Sequence, residues 1–312
     1  MAPPADVLAL FGPTAAGKSA LAHAVAVAVG GEIIVADPFQ RYRGLEIAAD
    51  APSARARAEV PYHFVGDLDL TESSTAGQFA ICAHEVIDAV RSRGRVPVVA
   101  GGTALYLRAA ITELGFPPVV APEIRAWAEE LVARDLQGAA TELALRDAAA
   151  AARVDTANPR RLVRALELAA TPTQSNAPTE RLWDDSMRVT TCLVVVTRPR
   201  VLLDRLIAKR VRRELDDGLV AELEQALATP RVSREALQII GAREVDAMRR
   251  GEIDPVMLQS RLEARTRRLA RRQMGWIRRW PHAQVLDLGD APPVDALASL
   301  IALWHGSAGA GQ

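Results

Sequence analysis

Residues 12–19 read GPTAAGKS, and the five residues before them, VLALF (7–11), form an apolar run. After them comes SALAHAVAVAV (19–29), small and apolar at helical spacing. A glycine turn ending in Lys-Ser, between a strand and a helix, constrains this chain more than any other stretch. In that context G-x-x-x-x-G-K-[ST] is a phosphate-binding loop. Gly12 and Gly17 let backbone N–H groups face a phosphate, and Pro13, Thr14, Ala15 and Ala16 carry the turn between them. Lys18 is placed for the outer phosphate, and the Ser19 hydroxyl for Mg²⁺. The chain has two lysines, Lys18 and Lys209, against 36 arginines, and one of the two stands at this position.

The surrounding pattern extends the motif into a fold. EIIVA (32–36) follows the first helix and ends at Asp37. A helix over 77–91 leads into VPVVA (96–100), closed by Gly101-Gly102-Thr103. Strands alternating with helices predict a parallel sheet covered on both faces. The expected class is α/β, a P-loop NTPase-like core, with TTCLVVVT (190–197) returning to the same sheet. Residues 117–155 read as a helical insertion, with helices at 123–134 and 142–152. The expected organisation is core over 1–116, insertion over 117–155, return to the core over 156–290, and a terminal helix with a disordered tail over 291–312. The turn-rich 171–186 reads as a loop.

Composition narrows the classes. Formal net charge is zero, so partners must be sought in local clusters. Cys82 and Cys192 stand far apart without a Cys or His at ligand spacing, which argues against a zinc site or a disulfide framework. No apolar run reaches the ~18 residues of a membrane span. MAPPAD lacks the features of a secretory leader. The expected setting is the cytoplasm, with no membrane partner.

Three further features carry chemistry. Asp37 stands at the carboxyl end of the second strand, where open α/β sheets present ligand groups. A carboxylate beside a phosphate site can accept a proton from an attacking nucleophile, and the competing reading is a turn-forming Asp before Pro38. Thr103 also stands at a strand end, as a hydrogen-bond donor to a reacting group or as a helix cap. The third feature is RLEARTRRLARRQMGWIRRW (261–280), with eight arginines and one acid. Leu262, Leu269 and Trp276 give it one narrow apolar stripe, and the remaining faces suit polyphosphate or RNA. PRRLVRALE (159–167) is a second basic patch.

Taken in order, GPTAAGKS, GGEIIVAD-x-x-Q-x-YRG (30–44), VPYHF (60–64), GGTALYLRA (101–109), NPRRLVRALE (158–167), RV…GLVAEL (210–223), QIIGARE (238–244) and TRRLARRQMGWIRR (266–279) form a specific series. From about residue 6 to 288 the chain resembles the bacterial tRNA dimethylallyltransferases. The resemblance implies transfer of a dimethylallyl group from its diphosphate to N6 of the adenosine 3′ of the anticodon, in tRNAs reading codons that start with U. It makes the P-loop a holder of the diphosphate leaving group, with Mg²⁺. It implies Asp37 as the base, Thr103 as a positioner of the adenine and Arg210 as a diphosphate contact. It implies tRNA contacts from Asp37, Pro38, Phe39, Gln40, Thr103, Arg125, Arg160, Arg161, Arg164, Gln238, Arg243, Arg271, Arg272, Gln273, Trp276 and Arg278. A monomer working on tRNA is the expected assembly.

The chain also leaves the family pattern. DPFQ replaces D-S-x-Q, AADA at 48–51 replaces G-T-A-K, Ala242 replaces a Tyr, and Gly275 replaces a Thr. Alternative readings are a paralogue prenylating a free adenine nucleotide, a P-loop kinase or NTPase, and a non-catalytic RNA-binding protein.

Overall fold

A computed structural model describes residues 5–113, 120–171 and 186–307. Contacts divide the chain into two compact units, one of residues 1–113 and 185–312 and one of residues 114–184.

The first unit is built on six parallel strands: β1 (Val7–Phe11), β2 (Glu32–Val35), β3 (Tyr62–His63), β4 (Pro97–Gly101), β5 (Thr191–Thr197) and β6 (Gln284–Asp287), in the spatial order β3-β2-β4-β1-β5-β6. As expected, β5 returns to this sheet and pairs with β1. β1, β2 and β4 are buried at every position, which is why they read as unbroken apolar runs. Phe11 pairs with Gly101 and Val35 with Ala100, so the chain leaves β1, β2 and β4 at one level and on one edge of the sheet. That register brings the glycine loop, Asp37 and the Gly101-Gly102-Thr103 turn together.

Helices α1 (Lys18–Val29), α2 (Ala54–Glu59), α3 (Ala76–Ser92) and α4 (Ala104–Ile111) connect or flank these strands. Local chemistry sets their ends. Thr75 and Gln78 form a reciprocal capping box at the start of α3.

The second unit holds α5 (Pro122–Arg134), α6 (Leu136–Arg146), α7 (Ala148–Arg153) and α8 (Pro159–Ala169). Two expectations are corrected here. Among the described residues the insertion holds three helices before residue 155, because Asp135 and Asp147 each cap a new helix with their side chains. The helical unit also takes in α8, which the expected return to the core at 156 excluded from it. Leu162, Ala165 and Leu166 of α8 are buried against Ala128, Val132, Ala139 and Leu143 of α5 and α6. Amphipathic periodicity alone does not say which core a helix serves.

After β5 the first unit continues with α9 (Arg200–Asp216), α10 (Leu219–Ala228), α11 (Ala242–Arg249), α12 (Pro255–Ile277) and α13 (Leu297–Gly306). Asp254 caps α12 by accepting from Met257 N at 2.7 Å. The buried face of α12 is Leu258, Leu262, Thr266, Ala270 and Gln273, in place of the expected 262-269-276 stripe. Small residues at 266 and 270 let this face pack against α9 and α11. Seven-residue spacing favoured large apolar side chains and passed over small ones. α13 packs on α1, and Trp304 Nε1 donates to Ala5 O at 2.9 Å. No helix among the described residues is long and apolar enough to cross a membrane. The expected loop at 171–186 and the expected disordered tail fall largely outside the described residues.

Candidate active site

The glycine loop is shaped by close approaches. A Cβ on Gly12 would stand 2.2 Å from Val196 O, and one on Gly102 would stand 2.4 Å from Gln273 Nε2. The Gly12 position therefore excludes a side chain, one at Gly102 would displace the end of Gln273, and the loop, β5, the turn after β4 and α12 converge. Gly17 enters α1 in the left-handed region at φ 98°, and Ala15 is left-handed at φ 63°. An L-residue held there stores strain of ~1–2 kcal/mol, which marks functional turns more often than ordinary ones.

Lys18 bends over this loop, its Nζ donating to Pro13 O at 2.7 Å. Burial chiefly, and the Arg210 charge next, lower its pKa to about 8, against the pull of Asp37 and Asp50. Ser19 follows with an exposed side chain at the first turn of α1. Thr14 is the junction of the loop. Its N–H donates to Gln273 Oε1 at 2.8 Å, and its Oγ1 accepts from Arg210 Nη1 at 2.8 Å.

Asp37 leaves β2 half-buried and accepts the Phe39 N–H at 2.9 Å, closing an Asx turn over Pro38. Burial raises its carboxyl above the ordinary range, although the Phe39 N–H, Lys18 and Arg210 all favour the charged form. A carboxyl shifted in that direction is a better proton acceptor once ionised. Gln40 is committed locally, its Nε2 donating to Ala49 O at 3.3 Å. Thr103 takes the N-cap position of α4, yet its side chain makes no capping hydrogen bond. The cap reading therefore accounts for its place and not for its hydroxyl.

Arg210 reaches the loop from α9. Its Nε donates to Glu214 at 2.6 Å, and its Nη1 lies 3.1 Å from Asp50 Oδ2. Burial disfavours the guanidinium charge, but Asp50, Glu214 and Asp37 outweigh it and hold the pKa above the ordinary value.

The remaining expected residues divide between the two units. Arg271 and Arg272 are exposed on α12, Arg278 is exposed at its C-cap, and Arg243 is exposed on α11. Trp276 is half-buried with Arg279 stacked 5.2 Å from its ring centre. Gln238 ends a short 3-10 turn and is half-buried. Gln273 is only 6% exposed, so it braces the loop and does not present a surface. Arg125, Arg160, Arg161 and Arg164 all stand on the helical unit, where Arg164 donates to Glu167 at 2.8 Å and Arg125 lies 3.9 Å from the same carboxylate. Among the departures, Gly275 has open space where a Cβ would stand. Ala242 is enclosed by Leu223, Leu227, Leu237 and Ile239.

Sequence reasoning missed two residues. Arg198 is 7% exposed, and each of its three guanidinium nitrogens donates to backbone: Nε to Ala16 O at 3.0 Å, Nη1 to Gly289 O at 2.8 Å and Nη2 to Ala291 O at 2.7 Å. It ties the loop to the segment after β6. An arginine directly after a buried strand at the ligand edge was the available signal. Asp50 was noticed as a departure but given no place.

These features define a phosphate-binding-loop α/β protein whose loop is met by a carboxylate, a lysine and an arginine from three separate elements. The chain belongs to the IPP transferase family, which matches residues 40–280. It is 37% identical over 294 residues to a tRNA dimethylallyltransferase of Xylella fastidiosa, covering 88% of this chain and 91% of that one. It is 40% identical over 275 residues to the tRNA dimethylallyltransferase of Anaeromyxobacter dehalogenans, covering 86% and 90%. Among solved structures it is similar to the full-length tRNA isopentenylpyrophosphate transferase of Bacillus halodurans, with TM-score 0.70, 26% identity and 97% of each chain covered.

Proposed function

We propose that this protein transfers a dimethylallyl group from dimethylallyl diphosphate to N6 of the adenosine 3′ of the anticodon, in tRNAs that read codons starting with U. The observation that carries the reading is the meeting of Asp37 with Lys18 and Arg210 at one phosphate-binding loop, in a chain 37% and 40% identical to tRNA dimethylallyltransferases.

In the reaction the C1–O bond of the substrate breaks and its electron pair leaves with the diphosphate. The adenine N6 forms a bond to C1 and gives its proton to the Asp37 carboxylate. Lys18, Arg210 and the N–H groups at the start of α1 neutralise the charge that grows on the leaving group. An exocyclic amine is a weak nucleophile, so positioning and a base contribute most. The uncommitted Thr103 hydroxyl is suited to orient the adenine.

Among the described residues no three His, Cys, Asp or Glu side chains gather as a metal site. The oxygen that the motif offers for a metal is the exposed Ser19 hydroxyl at the first turn of α1. That fits Mg²⁺, which commonly takes one or two protein ligands and fills its sphere with phosphate oxygens and water. Bound there, it would add positive charge to the departing diphosphate.

The exposed Arg243, Arg271, Arg272 and Arg278 suit the tRNA backbone. The basic side chains of the helical unit, Arg125, Arg160, Arg161 and Arg164, are assigned to the anticodon stem, with the target base flipped out for reaction. A tRNA substrate sets the reaction in the cytoplasm, and one copy of the chain carries every group invoked.

The test is incubation with radiolabelled dimethylallyl diphosphate, Mg²⁺ and unmodified tRNA. Label is expected in the tRNA, at one adenosine. Absence of label, with a control enzyme active on the same tRNA, overturns the reading. ATP turnover without the prenyl substrate would point to a P-loop kinase or NTPase. Labelling of AMP but not tRNA would point to a free-nucleotide prenyltransferase.

A further inference from the structure

Arg210 is held on two sides by groups that leave it facing the loop. Glu214, one turn along α9, takes its Nε, and Thr14 Oγ1 takes its Nη1. A third group, Asp50, adds an ion pair: its Oδ2 lies 3.1 Å from the same Nη1. Asp50 also ion-pairs with Arg213 through Oδ1 at 2.5 Å, and its charge is felt at Lys18.

The carboxylate is placed there by a fixed turn. Asp50 adopts φ 51°, the left-handed region that Asp and Asn enter more easily than most side chains. Ala49 N donates to Leu45 O, Asp50 N to Ile47 O and Ala51 N to Glu46 O. Glu222 of α10 accepts both Ile47 N and Ala48 N at 2.8 Å. Gln40 holds the turn from the other side through Ala49 O. Six hydrogen bonds thus hold an acid against an arginine that already has two other acceptors.

We propose that Asp50 competes with diphosphate for Arg210 and so limits how tightly the diphosphate product is retained. The inference rests on the reading of Arg210 as a diphosphate ligand. At the loop, Lys18 and Arg210 face Asp37, Asp50 and Glu214, so the protein's own acids already offset its cations. Diphosphate and Asp50 compete for the same guanidinium charge, and the return of the Asp50 ion pair assists departure. Because substrate and product share the diphosphate, the same acid weakens substrate binding.

The test is calorimetric titration of the full chain with inorganic diphosphate and Mg²⁺, beside prenyl-transfer kinetics. Asp50→Asn keeps the left-handed backbone and removes the charge. Removing one unit charge a few ångströms from the ligand is expected to tighten diphosphate binding by roughly five- to tenfold. The KM for dimethylallyl diphosphate falls and inhibition by added diphosphate strengthens in parallel. Asp50→Gly, which suits φ 51°, is expected to shift both in the same direction. Unchanged or weaker diphosphate binding in both variants, with intact thermal unfolding, overturns the proposal and makes Asp50 an inert or supporting partner of Arg210. Arg210→Ala is run alongside and is expected to weaken diphosphate binding. If it does not, the assignment of Arg210 fails and the competition falls with it, even where Asp50→Asn tightens binding.

Discussion

Replacing Gln273 by methionine removes the acceptor for one backbone N–H and little else. Thr14 N donates to Gln273 Oε1 at 2.8 Å, and Thr14 and Gln273 are 9% and 6% exposed, so water cannot take over the bond. Methionine nearly matches glutamine in volume and is flexible, which keeps the cavity term small. The cost is then that of a buried unsatisfied donor, about 1–3 kcal/mol. For a unit of this size that lowers Tm by roughly 2–12 °C. Function should suffer by a separate route. Thr14 Oγ1 also accepts from Arg210, so a shifted Thr14 moves the arginine as well as the loop. Urea unfolding of Gln273→Met measures the first effect, and titration with inorganic diphosphate and Mg²⁺ measures the second, expected as about tenfold weaker binding. Gln273→Glu separates them. It restores the acceptor and most of the stability, but places a negative charge against the loop and weakens diphosphate. A Gln273→Met protein that loses under ~0.5 kcal/mol and binds diphosphate normally would refute the idea that α12 braces the loop through this residue.

Lys18→Ala is expected to lower kcat/KM for dimethylallyl diphosphate by roughly 10²–10³-fold, the scale of losing one charge-stabilising donor, while tRNA affinity by filter binding stays within a few-fold. A pH profile gives a further check. With a Lys18 pKa lowered to about 8, the free enzyme loses this cation as pH rises through that value, so kcat/KM should fall on the alkaline side. Asp37 must be ionised to act, and its raised pKa puts the acid limb above the ordinary carboxylate range. Lys18→Arg should abolish the alkaline limb, and an unmoved limb would assign it to another group. Restoring the family's tyrosine at residue 242 should destabilise this chain by about 1–3 kcal/mol in urea unfolding, through overpacking. Ala242 is 2% exposed and enclosed by aliphatic side chains. A stability gain in Ala242→Tyr would show that those side chains leave room.

Much was legible in the linear chain because it depends on near neighbours. GPTAAGKS between an apolar run and a helix specifies a phosphate loop by φ, ψ and N–H geometry within eight residues. Alternating strands and helices specify a parallel sheet, and strand ends specify where ligand groups emerge. The positions of Asp37, Thr103 and Lys18 at strand ends and in the loop were readable on those grounds. The boundary of the helical unit was not, since α8 is amphipathic in either assignment and only its burial against α5 and α6 decides. The face of α12 was misread for a similar reason. A small residue such as Ala270 becomes a core position only when a neighbouring helix approaches closely.

The contacts that tune the candidate site lie farthest from sequence reach. Gln273 meets Thr14 across 259 residues, Arg210 meets it across 196 and Arg198 meets Ala16 across 182. Each is a single polar side chain whose partner is a backbone group or a short side chain, and no periodicity marks such a pair. The sequence by itself determined a glycine loop ending in Lys18 between a strand and a helix, with a carboxylate at the next strand end. Only tertiary packing decided which acid, Asp50, stands against Arg210 at that loop, because that pairing forms only where α9 and the 45–51 turn meet in space.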